Sequence, residues 1–362
     1  MEQALPDPRI FAADSGVTAN PLLDAARRNQ TQCLRDELQA ALDSGNDAVI
    51  RTALQGGPPV LSCRVWDALA AAMDAGGDAI GLQFFALPVV VIAGARTRIA
   101  LPGMVPEIGR IIELLEQHGA VGATRNFGMG NALSSADAME SLSYCALWRA
   151  RRDPAAQSMV AALVPEPVTV LPGREQVHLR FLTGAGITPP HLPSFLESAA
   201  HIGAWGMPLT RELARQLAQP GLEVLPLPRP PRSLVRAAHA GRCAQLEAAL
   251  DLFLGNIVRH FRASVGDPEA VLSAHRLESG AGELRLSLGS PFDTSMLEGF
   301  CWPLHPLDDI SVVTGIIRQA VDACRITRVL PIPRVLPDRL PGGFVFVAPH
   351  AVNDIGAPGE QH

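Results

Sequence analysis

Residues 84–94 read Phe-Phe-Ala-Leu-Pro-Val-Val-Val-Ile-Ala-Gly, the strongest apolar run in the chain. The run is too short to span a bilayer and carries Pro88, so it reads as a buried strand rather than a membrane helix. Before it, residues 20–80 carry helical spacing. Leu22, Leu23, Ala26, Leu34, Leu38 and Leu42 mark a first stretch, and Val65, Leu69, Ala70 and Met73 a second, with Gly56-Gly57-Pro58-Pro59 between them. Gly76-Gly77 ends this region and introduces the apolar strand Leu87–Ala93, which predicts a helical layer packed on a sheet.

After the strand, Ile108, Ile111, Ile112, Leu114 and Leu115 stripe a helix over 105–118, with Pro106 in its first turn. A second helix is predicted from Ser134 or Ser135 to Trp148, and the intervening 122–131 reads as an exposed loop feeding its N-terminus. Val168–Leu171 and Gln176–Leu182 read as strands joined by Pro172-Gly173. A loop over 184–193, a helix over 208–217 and a strand over 222–227 follow, and Pro226–Pro231 reads as a rigid crossover.

The remainder reads as a second unit. Apolar clusters predict a helix over 234–261, a strand over 283–288, a helix over 307–324 and strands over 329–332 and 344–347. The fold class expected is α/β (α+β), with mixed or largely antiparallel sheets flanked by helices. The expected organisation is a helical region over 1–80, a first α/β unit over 81–228 and a second over 229–362. Ile99-Ala100-Leu101-Pro102 before one helix echoes Cys301-Trp302-Pro303-Leu304 before another. That echo suggests two copies of one sheet-plus-helix unit, with chance as the competing explanation.

Composition narrows the chemistry. The chain has 362 residues, and its basic residues are all arginine. Without lysine there is no Schiff-base amine and no complete Walker A loop. A formal charge of −6 argues against nucleic acid as a partner. Cysteines 33, 63, 145, 243, 301 and 324 form no CxxC pair, which argues against a zinc knuckle or a disulfide framework. Residues 1–15 carry early acids and no apolar core of signal-peptide length, so a cytoplasmic protein without a membrane span is expected.

Three places could carry chemistry. In the first, Arg125, Asn126, Gly128, Gly130 and Asn131 form a glycine-bearing segment that could receive an anion on backbone N–H groups and a guanidinium. It departs from GxGxxG, with Leu133 at the third glycine position, and helix capping by Asn131 and Ser134 is the alternative. In the second, His178 and Arg180 sit two apart on a strand, where a cationic face could hold a carboxylate or phosphate; a solvated sheet face is the alternative. In the third, His305 with Asp308 and Asp309 could bind a metal or form an acid/base pair, against the alternative of a helix N-terminus that favours acids; no second histidine lies nearby to complete a zinc site. Cys145, in a helical context, is expected to be buried.

No metal site or cofactor is expected. The leading expectation is a protein-binding or assembly accessory protein, with a protein partner or a homo-oligomer. A small-anion transferase or hydrolase and a small-molecule-binding regulatory protein are the alternatives, so whether the chain is an enzyme stays open.

Overall fold

The computed structural model describes residues 20–56, 59–74, 82–94, 99–101, 103–118, 121, 125–151, 168–170, 173, 175–187, 202–225, 232–264, 266–279, 281–290, 296–305, 308–340 and 342–352. Over these residues the fold is mixed α/β, with two sheet-plus-helix regions. Contacts divide the chain into two compact units. One comprises Ala19–Ala53 and Arg64–Gln245; the other includes Leu54–Cys63 and Leu246–His362.

The first unit opens with helices α1 (Pro21–Arg27), α2 (Thr31–Ser44), α3 (Asp47–Gly56) and α4 (Pro59–Asp74). Asn20 caps α1 by accepting from the Leu22 and Leu23 amides. The helical region has more breaks than apolar spacing alone indicates. Asn29 and Gly45 both adopt positive φ, which asparagine and glycine tolerate best, and each ends a helix.

Strands β1 (Leu82–Ala93), β2 (Ile99–Leu101), β3 (Arg125–Ser134), β4 (Val168–Val170), β5 (Gln176–Ile187), β6 (Leu222–Val224) and β7 (Arg232–Ser233) follow, with helices α5 (Ile108–Gln117), α6 (Ala136–Ser141), α7 (Tyr144–Ala150) and α8 (Ile202–Gln216) among them. The main sheet runs β3-β5-β1-β6, with β7 also on β1. The expected buried strand is therefore its centre, antiparallel to β5 along its whole length. Pro88 is tolerated there for a local reason. The Leu225 amide donates to Val90 O, so even-numbered residues of β1 turn their backbone groups toward β6 and β7. The nitrogen of Pro88 thus points away from β5, so the continuous β1–β5 ladder loses no bond to it.

Leu87, Val89 and Val91 join Leu182, α5 (Ile111, Leu115) and α8 (Trp205, Leu209, Leu213) in one apolar core. On the opposite sheet face, Leu179 and Phe181 lie against Gly241 of α9 (Leu234–Ser264). A methyl group on Gly241 would approach them to about 3 Å.

In this unit four further expectations need correction. The segment over 125–131 is strand β3 rather than a loop, because it pairs with β5 through two register shifts. The helix expected up to Trp148 is two short helices, α6 and α7, each started by its own serine cap, Ser135 and Ser143. Val168–Val170 pairs with β2 rather than β5, so the two strands do not make a hairpin. Residues 184–187 continue β5 instead of opening a loop. Residues 188–193 and the Pro226–Pro231 crossover lie outside the described residues.

The second unit contains β8 (Glu269–Arg276), β9 (Gly282–Gly289), β10 (Leu297–Pro303), α10 (Ile310–Ala323) and β11 (Val329–Pro337). The sheet order is β10-β9-β8-β11, with β11 parallel to β8 and the other pairs antiparallel. Leu246, Leu250, Leu254 and Phe261 of α9 and Val313, Ile317 and Val321 of α10 cover one face. Each such fully buried side chain contributes about 1.5–3 kcal/mol. Spacing alone missed β8 and β10, and residues 344–347, expected as a strand, form none. They are irregular chain leading to a 3-10 turn at Pro349–Ala351, with the Phe344 carbonyl accepting from the Leu340 amide and the Val345 carbonyl from the Arg285 side chain.

Candidate functional site

The three places singled out by sequence lie on separate elements. In β3, the Asn131 carbonyl accepts from the Val105 amide and Leu133 donates to Gly103 O, so this part of the strand is itself covered by residues 103–105. Ser135, not Ser134, caps the helix that follows. The side chains of Arg125 and Asn126 lie outside the described residues.

His178 and Arg180 pair with Val91 and Val89, which places them on the face that carries the Leu87–Val91 core. The face expected to be solvated is therefore covered: His178 is half-buried and Arg180 is 3% exposed. Burial, with the Arg180 charge second, holds His178 below the usual histidine range and keeps it neutral.

In the third place the carboxylates act locally. Buried Asp308 accepts from Trp302 Nε1 at 3.3 Å and from the His305 amide at 2.9 Å. Asp309 is the N-cap of α10, accepting from the Ser311 and Val312 amides.

The densest polar cluster is one that sequence reasoning missed. On β8, Ala270, Leu272 and Ala274 face the helices, so Val271, Ser273 and His275 face away; on β9, Glu283, Arg285 and Ser287 do the same. The register sets Ser273 opposite Arg285 and His275 opposite Glu283. Arg285, 2% exposed, donates Nη1 to the carbonyls of Asp338 (2.6 Å) and Val345 (2.8 Å) and Nη2 to Asp338 Oδ1 (2.5 Å). Glu283 lies beside it at 3.4 Å. The guanidinium thus ties the chain after β11 across the sheet, where Val347 joins a small core with Val271, Ile332 and Leu336.

His275 completes the cluster. Its Nδ1 lies 2.8 Å from the Pro337 carbonyl, which can only accept, so Nδ1 carries the proton. Nε2 then accepts from the Ser273 hydroxyl at 2.9 Å. A serine on a histidine base is the pairing a nucleophile needs, yet Ser273 is 1% exposed and His275 0%. The pair is enclosed and serves to hold chain to chain. The available signal was the alternation of polar and apolar residues in Glu283–Leu288, which marks a strand with one polar face.

The edges of the sheets differ in what they offer. β11 carries Pro331, Pro333 and Pro337, β3 is bulged and partly covered, and β6 and β7 are only 3 and 2 residues long. β10 ends its sheet as a regular seven-residue strand whose one proline, Pro303, is its last residue. The Leu304 amide donates to Gly282 O, which fixes the alternation along this edge: Glu298, Phe300 and Trp302 bond toward β9, and Leu297, Gly299 and Cys301 present their backbone groups outward.

A pocket of about 260 Å³ also lies among α1, α2 and α4, lined by Ala26, Asn29, Arg35, Arg64, Asp67 and Ala71 among others. Among the described residues, no three His, Cys, Asp or Glu side chains converge as a metal site, and no helix is long and apolar enough to cross a membrane. No family model matches the chain, and neither does any curated protein or any solved structure.

Proposed function

We propose that this chain is an assembly or accessory protein that works by taking up an extended polypeptide segment along β10. The observation that carries this reading is the contrast, among the described residues, between β10 and the other edges: bulges, prolines or short length guard them, whereas β10 keeps an uninterrupted register and turns a row of backbone donors and acceptors outward. Main-chain bonds along such an edge supply affinity, and the alternating side chains supply selectivity.

The test uses a photo-reactive residue at Leu297 in cells, with and without Cys301→Pro. The Cys301 amide points outward, so proline removes a docking donor and leaves the β9 ladder intact. The adduct is expected to disappear in Cys301→Pro and to persist in Cys301→Ser. An adduct unaffected by the proline sinks the reading.

The pocket in the first unit favours a second reading, a small-anion-responsive regulator. Arg35 and Arg64 line it, and Arg64 Nη1 is already oriented by Ala26 O at 2.9 Å. Titration with inorganic phosphate should shift the resonances of residues 25–35 in the wild type and not in Arg35→Ala; no shift in the wild type removes this reading.

A further inference from the structure

We infer that the strand seated on β10 is β10 of a second copy of this chain, running antiparallel about a two-fold axis at Gly299. The inference rests on the docking role of β10 and names its occupant.

The guarding of the other edges supplies the first argument. Pairing between copies that joined β10 to a different edge would repeat indefinitely as a filament, but among the described residues β11, β3, β2, β4, β6 and β7 are each proline-bearing, bulged or short. β10 is left to pair with itself, which closes a dimer.

Register supplies the second. Antiparallel self-pairing must place outward-facing residues opposite outward-facing residues. With Gly299 at the axis, Gly299 meets its own counterpart and Leu297 meets Cys301 of the other copy. Every outward N–H of these three residues then finds a carbonyl. An axis at Phe300 or Cys301 instead brings Pro303 into the outward ladder, and Pro303 has no N–H to give.

Side chains agree with the Gly299 axis. Glu298 is the only charged residue of β10, and this register sets it opposite Phe300 of the other copy rather than opposite its own counterpart. Like charges are kept from facing each other across the join. Gly299 itself must stay small, because the Phe346 ring fills the space a Cβ would take.

The register makes a specific covalent test possible. Residues opposite in a hydrogen-bonded antiparallel pair have Cα atoms about 5.5 Å apart, within disulfide reach. Leu297→Cys, oxidised with diamide, should form intermolecular disulfides to the native Cys301 and run as a covalent dimer. Leu297→Cys combined with Cys301→Ser should lose most of that product. In sedimentation velocity the wild type should be a dimer and Cys301→Pro a monomer, with circular dichroism confirming that the variant is folded.

A wild type that stays monomeric at tens of micromolar, with no Leu297→Cys dimer, overturns self-pairing. The docking role of β10 survives that result if the cellular adduct at Leu297 still depends on the Cys301 amide. A dimer that persists in Cys301→Pro and gives no Leu297–Cys301 disulfide overturns self-pairing, and an adduct at Leu297 that also ignores the proline overturns both.

Discussion

Arg285 and Asp338 meet at 2.5 Å, joining the middle of one strand to the chain that leaves another, although 53 residues separate them in sequence. The guanidinium also bonds the Asp338 and Val345 carbonyls, so one side chain fixes both the exit from β11 and the segment that roofs the sheet. A charge this buried persists only when its donors are met, and here two main-chain carbonyls share that task with the carboxylates of Asp338 and Glu283.

Removing the fork should therefore cost more than a surface ion pair. Arg285→Ala is expected to lower unfolding free energy by about 3–5 kcal/mol, because Glu283 loses its partner inside the fold. Arg285→Lys should recover only part of this, since an ammonium lacks the planar fork that reaches two carbonyls and a carboxylate. Urea denaturation measures both, and limited proteolysis should show earlier cleavage after residue 338. A loss below about 1 kcal/mol in Arg285→Ala, the range of exposed pairs, sinks the account.

The state of His275 sets a pH dependence. Burial holds its imidazole below the usual value of 6.5, with the Arg285 charge acting the same way and the Pro337 bond, Glu283 and Asp338 opposing. The folded form thus binds the proton less readily than the unfolded chain does. Stability is fully present above pH 6.5 and falls as pH drops below it, by at most about 1.4 kcal/mol per pH unit for each such group. His178 titrates in the same direction. Comparing urea midpoints at pH 5.5 and 7.5 should give a smaller drop in His275→Gln than in the wild type. An equal drop shows that His275 is not the group responsible.

What sequence disclosed follows the range of the interactions involved. The central strand, helices α8, α9 and α10, and the burial of Cys145 rest on local apolar periodicity, which survives whatever packs against it. Pairing partners do not. Val168–Val170 carries a strand pattern, but only the fold decides that it joins Ile99–Leu101 and not the neighbouring β5. The polar cluster was illegible for the same reason. Glu283 and Arg285 alternate like any solvated strand, and the residues that enclose them, Asp338 and Val345, arrive from 53 and 60 positions away. His178 and Arg180 misled in the same way, since α8 covers the face they share with Val89 and Val91.

Asp308 separates an acid/base role from an anchoring one. Its carboxylate holds the Trp302 indole and the His305 amide, so Asp308→Ala should destabilise by about 1–3 kcal/mol through the two donors it strands. Asp308→Asn keeps a carbonyl acceptor and should lose less. Thermal melts read the difference; equal losses would mean that the charge, not the acceptor geometry, matters.

Two glycines predict opposite outcomes from the same change. At Gly184, in β5, an added Cβ would lie 2.6 Å from the Gly128 carbonyl oxygen and would also run into the Phe85 ring. A carbonyl in the adjacent strand cannot swing aside, so Gly184→Ala should cost about 1–3 kcal/mol as overpacking. At Gly255, exposed within α9, nothing lies within 4 Å of the new methyl group. Gly255→Ala should stabilise by about 0.5–1 kcal/mol, because alanine loses less backbone freedom on entering a helix. Chemical denaturation of the two variants side by side tests both signs, and a stabilising Gly184→Ala would show that the β3–β5 pairing at Gly128 is looser than the register requires.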